Sequence, residues 1–404
     1  MERIVIIGTG QGGFQAAASL RQEGFEGSIT LIGEEPGLPY QRPPLSKGYM
    51  ADGDADRLLL KPASFYERHD ITLRDRTRAA EIDRDGRRVL TDDGGEHPYD
   101  HLILATGARN YRPPIPGQEA DGVLELRTLA DAAVIRARLA ETRHAIVIGG
   151  GFIGLEFAAM ARAAGVGVTV LEATPRLMGR ALSPAMSAFF LDAHRAMGTE
   201  VLLGAAARRI EAENGRVTGV DTADVRVISG DLVLIATGIR PNVELAEAAG
   251  LRVNNGVEVD GALTTSDPAI SALGDVASFP LPDGSRVRLE SVQAAVDHAR
   301  HIARRLLKGE TAPYAAVPWF WSDQGKLKLQ IAGLGSGAYE AQELPSKADE
   351  KLVLLYRDGH LVAAETVNAP GPHMAARRLI GTPKDELEAA GYDLKAAMKA
   401  RKPA

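Results

Sequence analysis

Short apolar runs and helix-like segments alternate along the first part of the chain. Apolar residues over Ile4–Ile7 and an apolar-rich stretch over Ser28–Gly33 predict two strands. Between them, small and apolar residues around Ala16–Leu20 predict a helix that ends near Glu23. This strand–helix–strand order is typical of a parallel sheet with helices packed on its faces.

The same order recurs in the middle of the chain. Strands are predicted over Ala145–Ile148 and Val168–Glu172, with a helix over Leu155–Ala161 between them. Each half also has a later apolar run that ends in Ala-Thr-Gly, at Leu102–Gly107 and at Leu232–Gly238. The recurrence predicts that the two halves are structural repeats.

Two segments interrupt this pattern, and a third region follows it. Residues 37–47 contain too many prolines for regular structure, and Pro113–Gly117 is expected to cross between domains. From about Trp319 the pattern becomes rich in strands and then in helices, which predicts a smaller α+β domain. The predicted strands are Leu327–Ala332, Lys351–Tyr356 and Gly359–Thr366, and the predicted helices are Met374–Leu379 and Lys384–Ala390.

Length and composition narrow the class of protein. A chain of 404 residues is longer than a single hydrophobic core ordinarily supports, so two or three domains are expected. Its hydrophobic content of 45% and charged content of 25% fit a soluble globular protein, and no apolar run reaches the roughly 18 residues that span a bilayer. The chain enters a strand without a signal-like segment, so a cytoplasmic location is expected. The net charge of −6 gives no reason to expect nucleic acid as a partner.

The sequence contains no cysteine. A redox-active cysteine pair, a thiolate centre and a cysteine-ligated cluster are therefore excluded, and any redox chemistry needs a bound cofactor. The 9 histidines are scattered, and Asp297–His301 is better explained as the polar face of a helix than as a metal site. No metal site is predicted.

A glycine-rich loop follows the first predicted strand of each repeat. Residues 8–13 read G-T-G-Q-G-G and residues 149–154 read G-G-G-F-I-G, each between a strand and a helix. In that context the G-x-G-x-x-G pattern predicts a dinucleotide whose pyrophosphate lies on the helix N-terminus. The glycines expected to form the two sites are Gly8, Gly10, Gly12, Gly13, Gly149, Gly151 and Gly154. Two dinucleotides in one chain predict electron transfer between them.

An acidic residue is expected to end the second strand of each repeat. Glu34 or Glu35 takes this place in the first repeat, and Glu172 in the second. A carboxylate there accepts hydrogen bonds from ribose hydroxyls and repels a 2′-phosphate, so Glu172 favours NADH over NADPH. Arg176 and Arg180 follow closely and leave NADPH open, because an arginine can bind a phosphate.

Taken together, these motifs resemble those of flavoproteins with two dinucleotide-binding domains. Within that group the chain resembles the NADH-dependent ferredoxin reductases of the putidaredoxin reductase type, which serve bacterial cytochromes P450 and ring-hydroxylating dioxygenases. The resemblance extends over essentially the whole chain. Besides the two glycine loops and the two Ala-Thr-Gly turns, it rests on Tyr40–Lys47 (Y-x-R-P-P-L-S-K), Gly149–Glu156, Ala236–Asn242, Thr265–Asp275 and Trp319–Gln324.

The expected fold is α/β, with two Rossmann-like dinucleotide-binding domains of the glutathione reductase kind and a C-terminal α+β domain. Ala272–Asp275 arrives with no third glycine loop before it, so the chain is expected to return there to the first domain. The predicted boundaries are 1–112 and 244–318 for an FAD-binding domain, 113–243 for an NADH-binding domain and 319–404 for the C-terminal domain.

The resemblance also implies roles for individual residues. Lys47, Glu156 and Trp321 are expected to be catalytic, with Lys47 beside the flavin ring and paired with Glu156, and Trp321 as an aromatic wall near the nicotinamide or the flavin edge. Simpler explanations stay open: Lys47 as a surface lysine, Arg127 as a salt-bridge residue and Trp321 as part of the core. Besides the glycines of the loops, the expected cofactor contacts are Glu34, Lys47, Ala80, Ala105, Thr106, Gly107, Arg127, Glu156, Glu172, Gly274, Asp275 and Val292.

The pairing of Lys47 with Glu156 also has a physical basis that is independent of the family. A buried lysine needs a carboxylate partner, because an unpaired charge in a low dielectric costs several kcal/mol. Beside the flavin its positive charge favours the reduced anionic ring. Replacing Lys47 is therefore expected to slow hydride transfer more than it weakens NADH binding.

The expected activity carries electrons from NADH through FAD to a small [2Fe–2S] ferredoxin, which feeds a cytochrome P450 or a similar oxygenase. Flavin suits this task because it links a two-electron donor to a one-electron acceptor. An acidic ferredoxin is expected to dock on Arg300, Arg304 and Arg305, which otherwise form an ordinary charged helix face. The protein is expected to be monomeric or weakly dimeric.

Three other functions stay open. A rubredoxin reductase or an NADH oxidase would use the same scaffold. A rubredoxin partner stays open because a reductase for it would differ only in surface residues. A flavoprotein of the apoptosis-inducing-factor kind, whose main role is to bind partners, would be expected to carry a targeting segment or a long C-terminal insertion. Neither is visible in the sequence.

Overall fold

The computed structural model describes residues 1–281, 283–337, 340–347 and 349–401. They divide into two compact units, each made of several chain segments. Unit 1 comprises Met1–Gln41, Asp54–Arg109 and Ile239–Ala316. Unit 2 comprises Arg42–Gly53, Asn110–Gly238 and the described residues from Val317 onward. Residues 402–404 of the predicted C-terminal domain lie outside the described part of the chain.

The strands and helices are numbered in chain order. The strands are β1 (Arg3–Ile7), β2 (Ser28–Ile32), β3 (Ile71–Arg74), β4 (Ala79–Asp83), β5 (Arg88–Thr91), β6 (Glu96–Pro98), β7 (His101–Leu104), β8 (Ala108–Asn110), β9 (Val123–Leu124), β10 (His144–Ile148), β11 (Gly167–Glu172), β12 (Glu200–Leu203), β13 (Ala207–Glu213), β14 (Arg216–Thr222), β15 (Val227–Ser229), β16 (Leu232–Ile235), β17 (Ile239–Pro241), β18 (Val257–Glu258), β19 (Ile270–Ala272), β20 (Ala277–Pro280), β21 (Arg286–Val287), β22 (Trp319–Gln324), β23 (Leu327–Gly333), β24 (Glu340–Glu343), β25 (Lys351–Arg357) and β26 (His360–Val367). The helices are α1 (Gln11–Gln22), α2 (Gly48–Asp52), α3 (Ala63–Arg68), α4 (Leu129–Leu139), α5 (Phe152–Ala163), α6 (Pro184–Ala196), α7 (Glu244–Ala248), α8 (Val292–Lys308), α9 (Pro370–Leu379), α10 (Lys384–Ala389) and α11 (Leu394–Ala400), and short 3-10 helices cover Pro43–Ser46, Asp56–Leu58 and Gly274–Val276.

Unit 1 is built on a five-stranded parallel sheet in the order β19-β7-β1-β2-β3. Ile4, Val5, Ile6 and Ile7 of β1 are all buried, as is typical of a parallel sheet that is covered on both faces. The strand β19 joins this sheet from a segment more than 160 residues after β7, with Ile270 paired to Leu102. The chain thus returns to the first sheet just before Asp275.

Unit 2 contains a second parallel sheet, in the order β12-β11-β10-β16-β9. Its central strand β10 pairs with β11 and β16 as β1 pairs with β2 and β7. Unit 2 also holds an antiparallel sheet in the order β22-β23-β26-β25-β24. Helices α9, α10 and α11 pack on it around Tyr356, Leu361, Leu379 and Leu387. The two parallel sheets and the antiparallel sheet with its helices confirm the predicted fold class.

Two expectations about local structure are wrong. Residues 43–46 are not irregular but form a 3-10 helix, because proline fixes φ near the helical value and its missing N–H is not needed in a first turn. Strand β2 ends at Ile32, so Glu34 and Glu35 follow the strand rather than end it. The other predicted strands and helices are present, most of them with ends that differ by a few residues from those predicted. Among the described residues, no helix combines the length and the apolar character needed to cross a membrane.

Candidate active site

The first glycine loop joins β1 to α1. Gly8 has a φ of +114°, and a Cβ there would overlap the carbonyl oxygen of Ala105. A Cβ at Gly13 would overlap the carbonyl oxygen of Gly8, so α1 approaches the loop closely. At Gly10, no other atom of the described residues beyond its chain neighbours lies within 4 Å of the Cβ position. The loop is therefore tightly packed at its two ends and open at Gly10.

The second glycine loop, between β10 and α5, has the same geometry. Gly149 also has a φ of +114°, and its Cβ would overlap the carbonyl oxygen of Ala236. A Cβ at Gly154 would overlap the carbonyl oxygen of Gly149. Gly151, like Gly10, has no described atom beyond its chain neighbours within 4 Å of its Cβ position. The repeat predicted from the sequence is thus present in both loops.

In each loop, the open position at the middle glycine is also the N-terminus of a helix. Helices α1 and α5 are 12 residues long, and their N-caps are Gly10 and Gly151, with no side-chain cap hydrogen bond in the described structure. The first N–H groups of such a helix have no intrahelical partner, and together with the helix dipole they favour an anion. The space at a Cβ-free N-cap suits a pyrophosphate, so each unit fits one dinucleotide.

The two Ala-Thr-Gly turns adjoin the loops in the same way. In unit 1, the hydroxyl of Thr106 donates to the carbonyl oxygen of Asn242 at 2.8 Å, and Nδ2 of Asn242 donates to the carbonyl oxygen of Thr106 at 2.8 Å. In unit 2, the hydroxyl of Thr237 donates to the carbonyl oxygen of Tyr111 at 2.6 Å. The alanine carbonyl of each turn lies against the first glycine of the adjoining loop. Asn242 was not singled out from the sequence, although it lies in the quoted segment Ala236–Asn242.

Glu172 is the last residue of β11, as expected. Its carboxylate accepts a hydrogen bond from the N–H of Gly150 at 2.8 Å and from the N–H and hydroxyl of Thr174 at 2.8 and 2.7 Å. The charge of Glu172 therefore lies beside the second glycine loop. Arg176 donates to the carbonyl oxygens of Gly179 and Leu182, both at 3.0 Å, so its guanidinium is bound within the loop. Arg180 is exposed.

The two acidic residues after β2, Glu34 and Glu35, have different surroundings. Glu34 is 71% exposed, and Arg78 lies 3.4 Å from its carboxylate. Glu35 accepts a hydrogen bond from the hydroxyl of Tyr40. Ala80 is exposed at an irregularity of β4. Glu34 is therefore accessible to a ribose, and its contact with FAD, like that of Ala80, stays a prediction.

The segment around Asp275 lies against the first glycine loop. A Cβ at Gly12 would overlap the side chain of Leu273, which shows how closely this segment approaches α1. The N–H of Gly274 donates to Nδ1 of His298 at 3.2 Å, and burial lowers the pKa of His298 to about 3, so the ring accepts this bond as a neutral group. Val292 is the first residue of α8, which the Ser291 hydroxyl caps. His298 carried no sequence signal beyond the polar helix face.

Lys47 and Glu156 form the ion pair that the sequence predicted. Nζ of Lys47 lies 3.0 Å from Oε1 of Glu156, and the two side chains are 21% and 4% exposed. Lys47 follows the 3-10 helix Pro43–Ser46, and Glu156 lies in the second turn of α5. Lys47 is therefore not an ordinary surface lysine.

Two serines complete the surroundings of this carboxylate. The Ser46 hydroxyl donates to Oε2 of Glu156 at 2.5 Å, and the Ser322 hydroxyl donates to Oε1 at 2.7 Å. Neither serine was predicted as a site residue. Both lie inside quoted motifs, Tyr40–Lys47 and Trp319–Gln324, and that position was the available signal.

Trp321 and Arg127 also lie in unit 2. Trp321 stacks on Trp319, with ring centroids 5.5 Å apart. The backbone N–H of Arg127 donates to Asp131 at 3.0 Å, and its carbonyl oxygen accepts from Arg42 at 2.6 Å. Their contacts with the flavin, the nicotinamide or the FAD pyrophosphate stay predictions.

The three arginines of α8 do not share one environment. Arg300 and Arg304 are exposed. Arg305 instead donates to the hydroxyls of Thr264 at 2.7 Å and Ser271 at 2.5 Å. The guanidinium of Arg305 is therefore bound to side chains of unit 1, and the docking role of the three arginines stays a prediction. Among the described residues, no group of three or more histidine, aspartate or glutamate side chains is arranged to hold a metal ion.

Comparisons with known proteins agree with this geometry. The sequence pattern of the family described as pyridine nucleotide-disulphide oxidoreductase matches residues 2–299, and that of the reductase C-terminal domain matches residues 319–401. Rhodocoxin reductase from Rhodococcus erythropolis is 47% identical over 407 residues, which cover 99% of this chain and 95% of that protein.

Two solved structures match the chain over nearly its whole length. The ferredoxin reductase for the CYP199A2 system from Rhodopseudomonas palustris has a TM-score of 0.95 and 43% identity, covering 98% of this chain and all of that one. The reductase in the covalent putidaredoxin reductase–putidaredoxin complex has a TM-score of 0.94 and 36% identity. The match covers 100% of this chain and 99% of that one. The chain therefore belongs to the pyridine nucleotide-disulphide oxidoreductase family and, within it, to the FAD- and NADH-dependent ferredoxin reductases.

Proposed function

We propose that this protein is an NADH:ferredoxin oxidoreductase that supplies electrons to an oxygenase system such as a cytochrome P450. The observation that carries the proposal is the pair of glycine loops with matching geometry in a chain without cysteine. Bound FAD would accept a hydride from NADH at the flavin and release the two electrons singly to a [2Fe–2S] ferredoxin. The protein groups bind and orient the two nucleotides and set the electrostatic field around them.

We assign FAD to the first loop and NADH to the second. The domain boundaries predicted from the sequence are part of this proposal. They are 1–112 and 244–318 for the FAD-binding domain, 113–243 for the NADH-binding domain and 319–404 for the C-terminal domain. The closeness of the Asp275 segment to the first loop supports it, because the resemblance gives Asp275 to FAD. The N–H groups at the start of α1 and α5 would bind the two pyrophosphates. Glu172 would select NADH, because its charge at the second loop repels a 2′-phosphate.

Lys47 and Glu156 are proposed to act on the flavin end of the reaction. Lys47 would hold a positive charge beside the ring, and Glu156 would keep that ammonium in place. No side chain needs to act as a nucleophile. Trp321 would form a wall of the nucleotide site.

The proposed electron acceptor is an acidic [2Fe–2S] ferredoxin. Arg300 and Arg304 offer exposed positive charge on α8, although the chain as a whole carries −6. A local basic patch steers an acidic partner even when the net charge has the same sign as the partner. A cytoplasmic location is part of the same proposal.

The test is a steady-state assay of the purified protein with NADH or NADPH and cytochrome c as the final acceptor. Each reaction is run without a carrier, with a [2Fe–2S] ferredoxin and with a rubredoxin. Turnover that depends on ferredoxin and prefers NADH is expected. Turnover with rubredoxin alone, or with oxygen alone, would replace the proposed acceptor. Absence of flavin reduction by either nucleotide would contradict the proposed activity.

A further inference from the structure

Glu156 lies at one end of a chain of buried hydrogen bonds within unit 2. Its Oε1 accepts from the Ser322 hydroxyl at 2.7 Å, and Oγ of Ser322 accepts from Nε2 of Gln324 at 3.2 Å. At its other end the Gln324 amide places Oε1 at 2.8 Å from Nε2 of His194. Ser322, Gln324 and His194 are each 0% exposed. The bonds join α5, β22 and α6, three elements that come from separate parts of the chain.

The donor and the acceptor of each hydrogen bond in this series follow from the groups that form it. An ionised carboxylate only accepts, so the Ser322 hydroxyl donates its single proton to Glu156. Oγ of Ser322 must then accept from Gln324, which directs the amide nitrogen of Gln324 toward the serine. The same nitrogen lies 3.5 Å from Sδ of Met178, a weak acceptor, which supports this orientation independently.

The amide orientation determines the tautomer of His194. Oε1 of Gln324 can only accept, so Nε2 of His194 carries the proton. Nδ1 has no hydrogen-bond partner among the described residues, and a neutral ring leaves only a lone pair there. Burial lowers the pKa of His194, and the bond to Gln324 opposes part of that shift. All three bonds therefore donate in one direction, from His194 toward Glu156.

Successive side chains of β22 point to opposite faces of the sheet, so the strand carries its two tryptophan rings on one face and Ser322 and Gln324 on the other. Trp319 and Trp321 stack together on one face. Phe320, Ser322 and Gln324 occupy the other face, where the Phe320 ring contacts that of Phe152 at 4.6 Å. The strand thus presents Ser322 to Glu156 of α5 and Gln324 to His194 of α6.

We propose that Ser322, Gln324 and His194 are positioning residues that hold the Glu156 carboxylate, and through it Lys47, in one orientation. Oε1 of Glu156 accepts from both Ser322 and Lys47, whereas Ser46 binds Oε2. Loss of the Ser322 bond therefore leaves the carboxylate held at Oε2 alone, and Oε1 can turn about that contact and displace the ammonium. Aligned bonds in a low dielectric strengthen one another, which makes a one-way chain an effective anchor. The effect on turnover rests on the proposed function, but the series of hydrogen bonds can be tested without turnover.

The first experiment measures the tautomer of His194 in the FAD-containing protein labelled with 15N-histidine, with His194→Gln used to assign the signal. The expected spectrum shows a proton on Nε2, a lone pair on Nδ1 and no titration between about pH 6 and pH 8. In Gln324→Ala the single tautomer is expected to disappear. A proton on Nδ1, or titration near pH 6.5 in the unaltered protein, would overturn the chain of bonds.

The second experiment measures flavin reduction by NADH in a stopped-flow instrument. Ser322→Ala is expected to lower the limiting rate about tenfold or more while the Kd of NADH changes less than about twofold, because misplacement of a charged group affects the reaction more than binding. Ser322→Thr keeps a hydroxyl and is expected to recover most of the rate. Ser19→Ala removes another buried serine hydroxyl, in unit 1, and is expected to leave the rate unchanged.

Two checks separate the possible failures. FAD content and Tm are measured for each variant, and Gln324→Leu tests the same chain if Ser322→Ala does not fold. An unaltered rate in a folded Ser322→Ala, or an equal loss in Ser19→Ala, overturns the positioning role. If the unaltered protein is not reduced by NADH, the proposed function fails, and the positioning role fails with it even where the histidine spectrum confirms the bonds.

Discussion

The ammonium group of Lys47 lies 3.0 Å from a carboxylate oxygen of Glu156, and the carboxylate is almost fully buried. A charge buried in this way is stable only with a partner, because desolvation of a single ion costs several kcal/mol. Ser46 and Ser322 satisfy further lone pairs of the same carboxylate. The pair is therefore held at a defined place in unit 2.

Loss of the ammonium group tests that role. We expect Lys47→Ala to slow flavin reduction by NADH about 10- to 100-fold, because the positive charge favours the reduced ring, while the Kd of NADH changes less than about threefold. Stopped-flow reduction over a range of NADH concentrations separates the two quantities. Lys326→Ala, at an exposed lysine of unit 2, serves as the control. An unchanged rate in Lys47→Ala would remove Lys47 from the reaction.

The two open N-caps allow the nucleotide assignments to be tested one at a time. Gly10→Ala and Gly151→Ala add a Cβ that meets no described protein atom beyond its chain neighbours within 4 Å, so both variants are expected to fold normally. We expect Gly10→Ala to be purified with little FAD, and Gly151→Ala to keep FAD but to bind NADH at least about tenfold more weakly. Absorbance of bound flavin and NADH titration measure the two effects.

A companion variant distinguishes ligand contact from backbone strain. Gly8→Ala places its Cβ on the carbonyl oxygen of Ala105 at a φ of +114°, so it is expected to lower the Tm of the protein itself. If Gly151→Ala loses FAD and Gly10→Ala weakens NADH binding, the two assignments must be exchanged.

Glu172 is predicted to determine the choice between NADH and NADPH. Glu172→Gln keeps an oxygen that can accept from the Gly150 N–H but removes the charge that repels a 2′-phosphate. The ratio of kcat/KM for NADH over NADPH is expected to fall about tenfold or more. Glu172→Gln with Arg180→Ala tests whether the exposed arginine supplies the new phosphate contact. A ratio that stays constant in Glu172→Gln would place the selectivity elsewhere.

Charge reversal on α8 is predicted to weaken docking of the ferredoxin. Arg300→Glu is expected to raise the KM for an acidic ferredoxin about tenfold at low salt, and the difference should shrink as salt screens the charges. Flavin reduction by NADH should not change. Arg143→Glu, at a side chain that is 94% exposed in unit 2, is the matched control. An equal KM for Arg300→Glu and the unaltered protein at low salt would place the docking surface elsewhere.

A buried histidine predicts how stability depends on pH. His101 on β7 lies 2.9 Å from the Ser271 hydroxyl, and burial lowers its pKa from 6.5 to about 3. Between these two values the unfolded chain binds a proton that the folded protein does not. The free energy of unfolding should therefore fall as the pH falls from about 6.5 toward 3, by about 1.4 kcal/mol per pH unit for this one group.

Urea unfolding followed at several pH values between 7 and 4.5 measures that slope. His101→Gln, which cannot titrate, is expected to show a smaller slope than the unaltered protein. Equal slopes for the two proteins would mean that other groups cause the loss of stability in acid.

The alternation of apolar strands and helices was sufficient to predict both parallel sheets and a C-terminal part with strands followed by helices. The antiparallel pairing of those C-terminal strands was not predicted. The glycine loops could be located because only glycine fits where α1 and α5 approach the preceding turns. The prolines at 43 and 44 were misinterpreted as irregular structure, since their composition alone does not show that they begin a short helix. The arginines of α8 looked equivalent, but the hydroxyls that bind Arg305 come from Thr264 and Ser271, which are 41 and 34 residues away.

The sequence by itself determined the strand and helix order, the positions of the two glycine loops and the need for a bound redox cofactor, because these follow from local patterns and from the absence of cysteine. It also supplied Lys47 and Glu156, although their pairing came from a resemblance rather than from spacing. Tertiary structure alone decided that Ser46 and Ser322 bind Glu156, and that Gln324 and His194 extend the hydrogen bonds behind Ser322. Hydrogen bonds between residues more than 100 positions apart depend on how the strands and helices pack, and no local pattern along the chain records that packing.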